Sequence, residues 1–159
     1  VRLVGSEMCI RDSHCIGILG EADDFMKKAK ALGVESHITF HGVLNDANLK
    51  RALAATDVFV MLSQESPSGD VEGFGIAILE SNAIGVPAIG AKNCGIEDAI
   101  DEGITGFLID GNDRQAFKQS VGLLLKQKQI FKEKSKKWAE LHDWNKLVKR
   151  YITLISWEA

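Results

Sequence analysis

Long apolar runs, cysteine and basic charge are all scarce in most of this sequence. No stretch of about 18 uninterrupted apolar residues occurs in its 159 residues, so a transmembrane helix is not indicated. The first residues also lack a charged leader that feeds a long apolar segment, so we expect no secretory signal. With 45% hydrophobic and 26% charged residues, the composition is typical of one globular domain. These features predict a cytoplasmic protein.

Cysteine is too sparse for a disulfide framework. The three cysteines, Cys9, Cys15 and Cys94, are odd in number and lack the spacing of metal ligands. That pattern favours free thiols in a reducing compartment. No cluster of metal-ligating residues stands out elsewhere, so the sequence predicts no metal site.

Basic residues are concentrated at one end of the chain. Residues 1–110 carry 8 Lys/Arg against 17 Asp/Glu, which argues against a general nucleic-acid surface there. Residues 111–159 carry 11 against 5, and "KQKQIFKEKSKK" (126–137) alone contains six lysines. A solvated helix face is the first interpretation of these lysines. A patch that faces anionic lipid, and therefore a peripheral membrane contact, is the second.

The first thirteen residues, "VRLVGSEMCIRDS", have no helix or strand period. Codons for Met8 to Ser13 can spell the transposon end that is used in sequencing-library adapters. We therefore expect residues 1–13 to be a non-native leader and residues 14–159 to be one domain of a longer protein. A natural disordered leader is the alternative.

From residue 15 onwards, short apolar runs alternate with helical stretches. This order predicts an α/β fold with a parallel sheet that is covered by helices on both faces. The predicted strands are 15–20, 37–42, 57–63, 86–91 and 105–110, and the predicted helices are 21–33, 45–56, 73–84, 95–103, 113–127 and a further stretch to about 156. Ligands bind beyond the carboxyl ends of such strands, so the turns at 41–46, 63–72 and 90–96 should share one edge.

The run "EGFGIAILESNAIGVPAIG" (72–90) contains two carboxylates among apolar residues and glycines. Glu72 precedes the predicted helix, and Glu80 lies two turns inside it among isoleucine, leucine and alanine. Because a buried unpaired carboxylate is costly, Glu80 suggests a bound ligand. Gly73 and Gly75 allow a ligand to approach the backbone, and the first-turn N–H groups form an anion site. A helix N-terminal charge at Glu72 and a solvated Glu80 are the alternative.

The segment "EGFGIAILE" resembles the Glu-x7-Glu motif of retaining glycosyltransferases of family 4, which have the GT-B fold of two Rossmann-like domains. Three further segments resemble the carboxyl-terminal domain of that family in the same order: "GILGEADDFMKKAKALGVESHITFHGVL", "LAATDVFVMLS" and "AIGVPAIGAKNCGIEDAIDEGITGFLI". The resemblance covers about residues 15–156. It implies one Rossmann-like half of a GT-B fold with additional C-terminal helices, and an amino-terminal domain that is absent from this chain.

The resemblance implies that this domain binds a nucleotide-diphosphate sugar and requires neither a metal nor a further cofactor. Glu72 would contact and orient the donor sugar, which makes it the candidate catalytic residue, and Glu80 would hold the ribose hydroxyls. The other donor-binding candidates are Gly73, where the ligand can approach the backbone, the amides around Phe74, Gly75 and Ile76 at the phosphates, Gly42 and Val43 near the base, and Ser63 in the loop before the motif.

The chain departs from the family pattern at three places. The Arg/Lys pair for the diphosphate belongs upstream of "CIGILG", where only Arg2 and Arg11 occur. The first strand runs into "GEAD" in place of a Gly-x-Gly-Pro-like turn, and Cys94 replaces a common glycine, with Gly95 expected to keep the turn. We therefore expect this chain alone to be inactive and the full protein to transfer sugar.

Two other functions are compatible with parts of the pattern. A sugar-nucleotide 2-epimerase has a similar two-domain fold, although the glycine-flanked Glu-x7-Glu arrangement argues against it. A non-catalytic nucleotide-sugar-binding module is the other. Among the remaining polar residues, His37 and His41 are expected to make local hydrogen bonds, Glu97 to cap the following helix, and His142 to have no catalytic role.

Overall fold

The computed structural model describes residues 12–18, 20, 22–64, 69 and 71–156. Backbone contacts divide the chain into two units that meet at Leu49 and Lys50, and each unit is described separately. The predictions for Cys9 and for residues 1–11 lie outside the described residues. Within the described part, no helix is both long and apolar enough to cross a membrane.

The first unit is a strand–helix–strand arrangement. It contains β1 (Ser13–Ile16), α1 (Ala22–Leu32), a 3-10 turn and β2 (Ile38–Gly42). The two strands are parallel, as predicted, with Ser13 opposite Ile38 and a register shift between Cys15 and Ile16. The prediction of a buried first strand at 15–20 was wrong. The strand is exposed along its length, and Gly17, at φ +140°, leaves the extended conformation directly after it.

The helix ends of this region follow the signals in the sequence. Gly33, at φ +66°, follows the last residue of α1 and has the left-handed conformation that is typical of a glycine at a helix C-terminus. Helix α2 (Asp46–Ala54) begins after Asn45, whose Oδ1 accepts a hydrogen bond from the N–H of Asn48 over 2.9 Å. Asn45, the first residue of the helix predicted over 45–56, therefore caps α2.

The second unit contains a three-stranded parallel sheet. Its order is β3 (Phe59–Met61), β4 (Ala88–Ala91) and β5 (Gly106–Ile109). Central strand β4 is buried at every position, as its unbroken apolar sequence predicted. Ala88 lies opposite both Phe59 and Gly106, and a Cβ atom at Gly106 would lie 1.9 Å from the Ala88 carbonyl oxygen.

The helices of the second unit are α3 (Ile76–Ile84), α4 (Arg114–Lys126), α5 (Lys128–Leu141) and α6 (Trp144–Ser156). The predictions of helices at 73–84 and 95–103 were wrong in extent. Gly75, at φ +83°, holds a left-handed conformation that cannot belong to a right-handed helix, so α3 starts at the next residue. The second segment forms only a 3-10 helix, Gly95–Ala99.

Both faces of the three-stranded sheet are covered. One core cluster contains Ile78, Ala88, Ile96, Ala99 and Ile100, and the other contains Ile89, Ile109, Leu124 and Phe131. Adjacent residues of β4 fall in different clusters because side chains alternate across a strand. The prediction of helices on both sheet faces is confirmed for this unit.

Candidate functional site

The first part of the motif is a loop that is joined to the turn after β4. This motif loop comprises Glu72–Gly75. The N–H of Gly95 donates to the carbonyl oxygen of Glu72 over 2.9 Å. A Cβ atom at Gly95 would lie 1.9 Å from the carbonyl oxygen of Gly73. The absence of a side chain at Gly95 therefore allows the two backbones to meet, in addition to the turn that the sequence predicted there.

Glu72 closes the motif loop with its own side chain. Its half-buried carboxylate accepts hydrogen bonds from the N–H groups of Phe74, over 3.4 Å, and Gly75, over 3.1 Å. The carbonyl of Gly75 in turn accepts from the N–H of Ile78 over 2.9 Å. Two of the N–H groups predicted to meet phosphates are thus held by Glu72 in this structure.

Glu80 does not occupy the position expected from its neighbours in sequence. The side chain is exposed, whereas the buried residues of α3 are Ile78, Ser81 and Asn82. The prediction of a submerged carboxylate was wrong, because the helix has an exposed stripe. Glu72 and Glu80 do not share one helix face, since Glu72 precedes α3 and Gly75 interrupts the helical geometry.

The exposed stripe of α3 is partly apolar. Ile76 is 62% exposed, and Glu80 follows it by four residues, so the two side chains lie on one face. In the motif loop that precedes α3, Gly73 is exposed, Phe74 packs against the core cluster that contains Ile78, and Gly75 is buried. An exposed apolar surface beside a carboxylate suits a sugar or ribose ring, whose hydroxyls can donate to Glu80.

A polar groove lies at the carboxyl ends of the three parallel strands. Its volume is about 250 Å³, and its walls are Ser63 and Gln64 after β3, Ala91 at the end of β4 with the three residues that follow it, and Asp110 and Gly111 after β5. The prediction that the turns after these strands share one edge is confirmed for residues 63–64 and 91–94. Lys92 contributes a cation to these walls that sequence reasoning missed. Its place directly after a buried strand was the available signal.

The turn after β4 is shaped by local hydrogen bonds. Asn93 has a φ of +63°, which is rare for a residue other than glycine. Its N–H donates to Oε1 of Glu97 over 2.6 Å. Glu97 therefore supports the turn that precedes the 3-10 helix, and the Cys94 thiol lies 3.5 Å from the carbonyl oxygen of Ala91.

The remaining donor-binding candidates, Gly42 and Val43, belong to the first unit. Gly42 has a φ of +67° and accepts a hydrogen bond from the N–H of Gly17 over 2.9 Å. Val43 is 78% exposed. A cavity of about 630 Å³ lies in the same unit between α1 and the β1–β2 sheet, but its walls are mainly apolar and include neither residue.

The histidines of the first unit make short-range contacts. His41 Nε2 lies 2.9 Å from His14 Nδ1 across the two strands, and His37 Nδ1 lies 3.1 Å from a carboxylate oxygen of Asp12. These contacts agree with the predicted local role of His37 and His41. In the described ranges, no group of three or more His, Cys, Asp or Glu side chains is arranged to hold a metal ion.

Parallel strands, helices on both sheet faces and a polar groove at the strand ends define a Rossmann-like α/β unit. The sequence profile of the glycosyl transferases group 1 matches residues 14–141, and the chain belongs to that family.

Two curated relatives illustrate the range of the family. A GDP-mannose-dependent alpha-(1-6)-phosphatidylinositol monomannoside mannosyltransferase of Mycolicibacterium smegmatis is 36% identical over 104 residues, which are 65% of this chain and 27% of that protein. An N-acetyl-alpha-D-glucosaminyl L-malate synthase of Bacillus anthracis is 30% identical over 116 residues, 71% of this chain and 28% of that protein. The chain therefore spans about a quarter of the length of these relatives.

Solved structures of low sequence identity share the fold. Anabaena Alr3699/HepE, crystallised in complex with UDP, matches 92% of this chain and 41% of its own with a TM-score of 0.75 at 21% identity. The apo lipopolysaccharide outer core galactosyltransferase WaaB matches 93% of this chain and 41% of its own with a TM-score of 0.72 at 17% identity. The predicted fold class, one Rossmann-like half of a GT-B fold, is confirmed.

Proposed function

We propose that this chain is the donor-binding domain of a retaining family 4 glycosyltransferase. The complete protein would transfer a sugar from a nucleotide-diphosphate sugar to an acceptor. The observation that carries the proposal is the family match over residues 14–141, which includes the whole Glu-x7-Glu segment. Since the chain spans about a quarter of its relatives, the acceptor site is expected to come from the rest of the protein.

The exposed stripe of α3 supports the role of Glu80. A carboxylate that is open to solvent can accept two ribose hydroxyls without first breaking an internal bond. Ile76, four residues earlier, offers an apolar surface to the sugar ring. The exposure of Glu80 removes the argument from burial, so this assignment depends on the resemblance and on the spacing to Glu72.

The hydrogen bonds of Glu72 suggest how the donor would be received. The N–H groups of Phe74 and Gly75 can bind either the Glu72 carboxylate or a phosphate oxygen, because both are anionic acceptors. A bound diphosphate would displace the carboxylate, and the displaced Glu72 would then be free to contact the donor sugar. Catalysis in this proposal comes from positioning and from stabilising developing charge.

A diphosphate needs cations, and Lys92 is a cation in the walls of the polar groove. Lys92 lines the groove at the strand ends, and Asp110 contributes a carboxylate to the same groove. Asp110 already accepts a hydrogen bond from the N–H of Asn112 over 2.8 Å. We expect the Arg/Lys pair of the family to come from the protein upstream of this chain, and the isolated chain to bind its donor weakly for that reason.

The names of the relatives suggest an order in which to test possible donors. Proteins named as GDP-mannose-dependent mannosyltransferases are 36% identical to this chain, which places GDP-mannose first among the donors to test. UDP and UDP-glucose occur in crystals of a protein with the same fold, which places UDP-sugars second.

The test is calorimetric titration of the full-length protein with GDP-mannose, UDP-glucose and ADP-glucose. We expect one of them to bind, and Glu80→Ala to weaken its binding by about 1–3 kcal/mol through the loss of paired hydroxyl contacts. Glu140→Ala, at an exposed glutamate of α5, is the matched control and should leave binding unchanged.

One outcome would contradict the role of Glu80, and another would contradict the transferase activity. Equal affinity of wild type and the Glu80 variant would remove Glu80 from the site. Binding without turnover in the full-length protein, whatever the acceptor offered, would favour a non-catalytic sugar-nucleotide module.

A further inference from the structure

Residues at the C-terminal end of α5 also contact the motif loop, in addition to the turn after β4. Trp138 lies in α5, and His142 follows that helix, one residue past the match to the family profile. The ring of His142 lies 6.2 Å from the ring of Phe74, at an interplanar angle of 49°. Aromatic rings at this separation and tilt attract one another. An aromatic side chain of the motif is thus in contact with a residue that the sequence pattern left without a role.

The His142 ring is fixed by two contacts with Trp138. Its centroid lies 4.6 Å from that of the indole, at 57°, and its Nδ1 lies 3.0 Å from the Trp138 carbonyl oxygen. Since a carbonyl oxygen only accepts, Nδ1 carries the proton in this contact. The imidazole therefore has a defined orientation and presents an aromatic surface to Phe74.

Trp138 also connects the end of α5 to the turn after β4. Its indole N–H donates to the carbonyl oxygen of Ala99 over 2.9 Å, at the end of the 3-10 helix that Gly95 begins. Gly95 is also the residue whose N–H holds the carbonyl of Glu72. The end of α5 thus contacts the motif loop at Phe74 and the 3-10 helix, Gly95–Ala99, that is bonded to the loop.

We propose that His142 is a positioning residue for donor binding. Its ring, held by Trp138, packs against Phe74 and keeps the motif loop in the geometry that presents Glu72 and the loop N–H groups to the donor. This inference rests on the proposed function, because the role given to His142 is in binding a sugar nucleotide. His142 itself does not touch the donor in this scheme.

The first measurement needs no ligand. Amide hydrogen exchange of peptides that contain residues 72–78 should be at least about threefold faster in His142→Ala than in wild type, since a loop that has lost a packing contact opens more often. His142→Phe keeps an aromatic ring at this site and should restore slow exchange. Trp138→Phe removes the indole N–H and part of the ring surface but keeps an aromatic ring, and it should give an intermediate rate.

The matched control is Phe131→Leu. Phe131 is buried in the other core cluster, on the opposite face of the sheet, where it packs against Phe107. This variant should destabilise the unit without a selective change in exchange at residues 72–78. Equal acceleration in His142→Ala and Phe131→Leu would reduce His142 to a general stabilising role and overturn the inference.

The second measurement is the dissociation constant for GDP-mannose and UDP-glucose, each beside its nucleoside diphosphate, in the full-length protein. We expect His142→Ala to weaken the sugar nucleotide by about three- to tenfold, and the diphosphate by less, because Glu72 is placed at the sugar. His142→Phe should restore the affinity. An unchanged affinity for the sugar nucleotide, together with faster exchange, would show a mobile loop without a role in binding and would overturn the inference.

Failure of the proposed function would be recognisable separately. If wild type bound none of the sugar nucleotides, the proposed function would be wrong, and with it the task given to His142. The exchange rates would still decide whether the end of α5 holds the motif loop.

Discussion

The N–H of Gly95 donates to the carbonyl oxygen of Glu72, and this 2.9 Å bond joins the turn after β4 to the start of the Glu-x7-Glu motif. The two segments lie 23 positions apart in the chain, so this contact exists only in the folded structure. The bond fixes the backbone position of Glu72, the candidate catalytic residue, whatever the orientation of its side chain.

Gly95→Ala should disrupt this junction. The added Cβ would lie 1.9 Å from the Gly73 carbonyl oxygen, which belongs to the backbone, so the motif loop would have to move. We expect a loss of about 1–3 kcal/mol in the free energy of unfolding, as for other forced shifts in packed regions, measured by urea denaturation. We also expect donor binding to weaken.

Gly122→Ala is the matched control for that substitution. Gly122 lies inside α4, and a Cβ there would meet no atom within 4 Å. Alanine should raise the free energy of unfolding by about 0.5–1 kcal/mol, because it restricts the unfolded chain and favours the helix. If both variants lost stability equally, the contact between Gly95 and Gly73 would not be the cause.

The neighbouring leucines Leu123 and Leu124 test how far burial decides stability in α4. Leu124 is 1% exposed and belongs to the second core cluster, whereas Leu123 is 44% exposed. Leu124→Ala should cost about 2–5 kcal/mol through lost burial and a residual cavity, measured by thermal or urea unfolding. Leu123→Ala, with the same change in helix propensity, should cost less than about 1 kcal/mol. The reverse order would show that α4 packs through its other face.

Asp113 should contribute to α4 through its cap. Its carboxylate accepts from the N–H groups of Gln115 and Ala116, each over 2.9 Å. Asp113→Ala should lower the free energy of unfolding by about 0.5–2 kcal/mol, and Asp113→Ser, which keeps a capping oxygen, should recover most of that loss. A serine variant as unstable as the alanine variant would exclude capping as the source.

The alternation of strands and helices and the covered parallel sheet could be predicted because their signals are local. Strand β4 is an unbroken apolar run in the sequence. The helix predicted over residues 113–127 is α4, which Asp113 caps. The glycine contacts could not be predicted, because the requirement at Gly95 comes from the carbonyl of a residue that is distant in sequence. The sequence pattern indicated a turn at Gly95, but it did not indicate that the backbone of Gly73 lies against it.

The two glutamates show where reasoning from neighbours in sequence fails. Glu80 is flanked by apolar residues, yet on a helix these point in different directions, and α3 buries Ile78 while leaving Ile76 exposed. Burial of the helix as a whole was therefore a poor guide to burial of one position. The role of His142 was missed for a related reason, since its contact with Phe74 depends on how α5 packs.

Glu72 offers a way to separate loop closure from donor chemistry. The structure has its carboxylate accept from the N–H groups of Phe74 and Gly75. In Glu72→Gln the amide oxygen can accept the same two bonds, so the loop should keep its shape and the free energy of unfolding should change by less than about 0.5 kcal/mol. In Glu72→Ala both bonds are lost, and we expect a cost of about 1–2 kcal/mol.

Turnover by the full-length protein should not follow stability in these two variants. The proposed function requires the charge of Glu72 at the donor sugar, so Glu72→Gln should lose activity although its loop is intact. If transfer is dominated by charge stabilisation, the loss should reach about 100-fold, the size found when one electrostatic contact to a transition state is removed. A glutamine variant with wild-type turnover would leave Glu72 only its structural role in closing the motif loop.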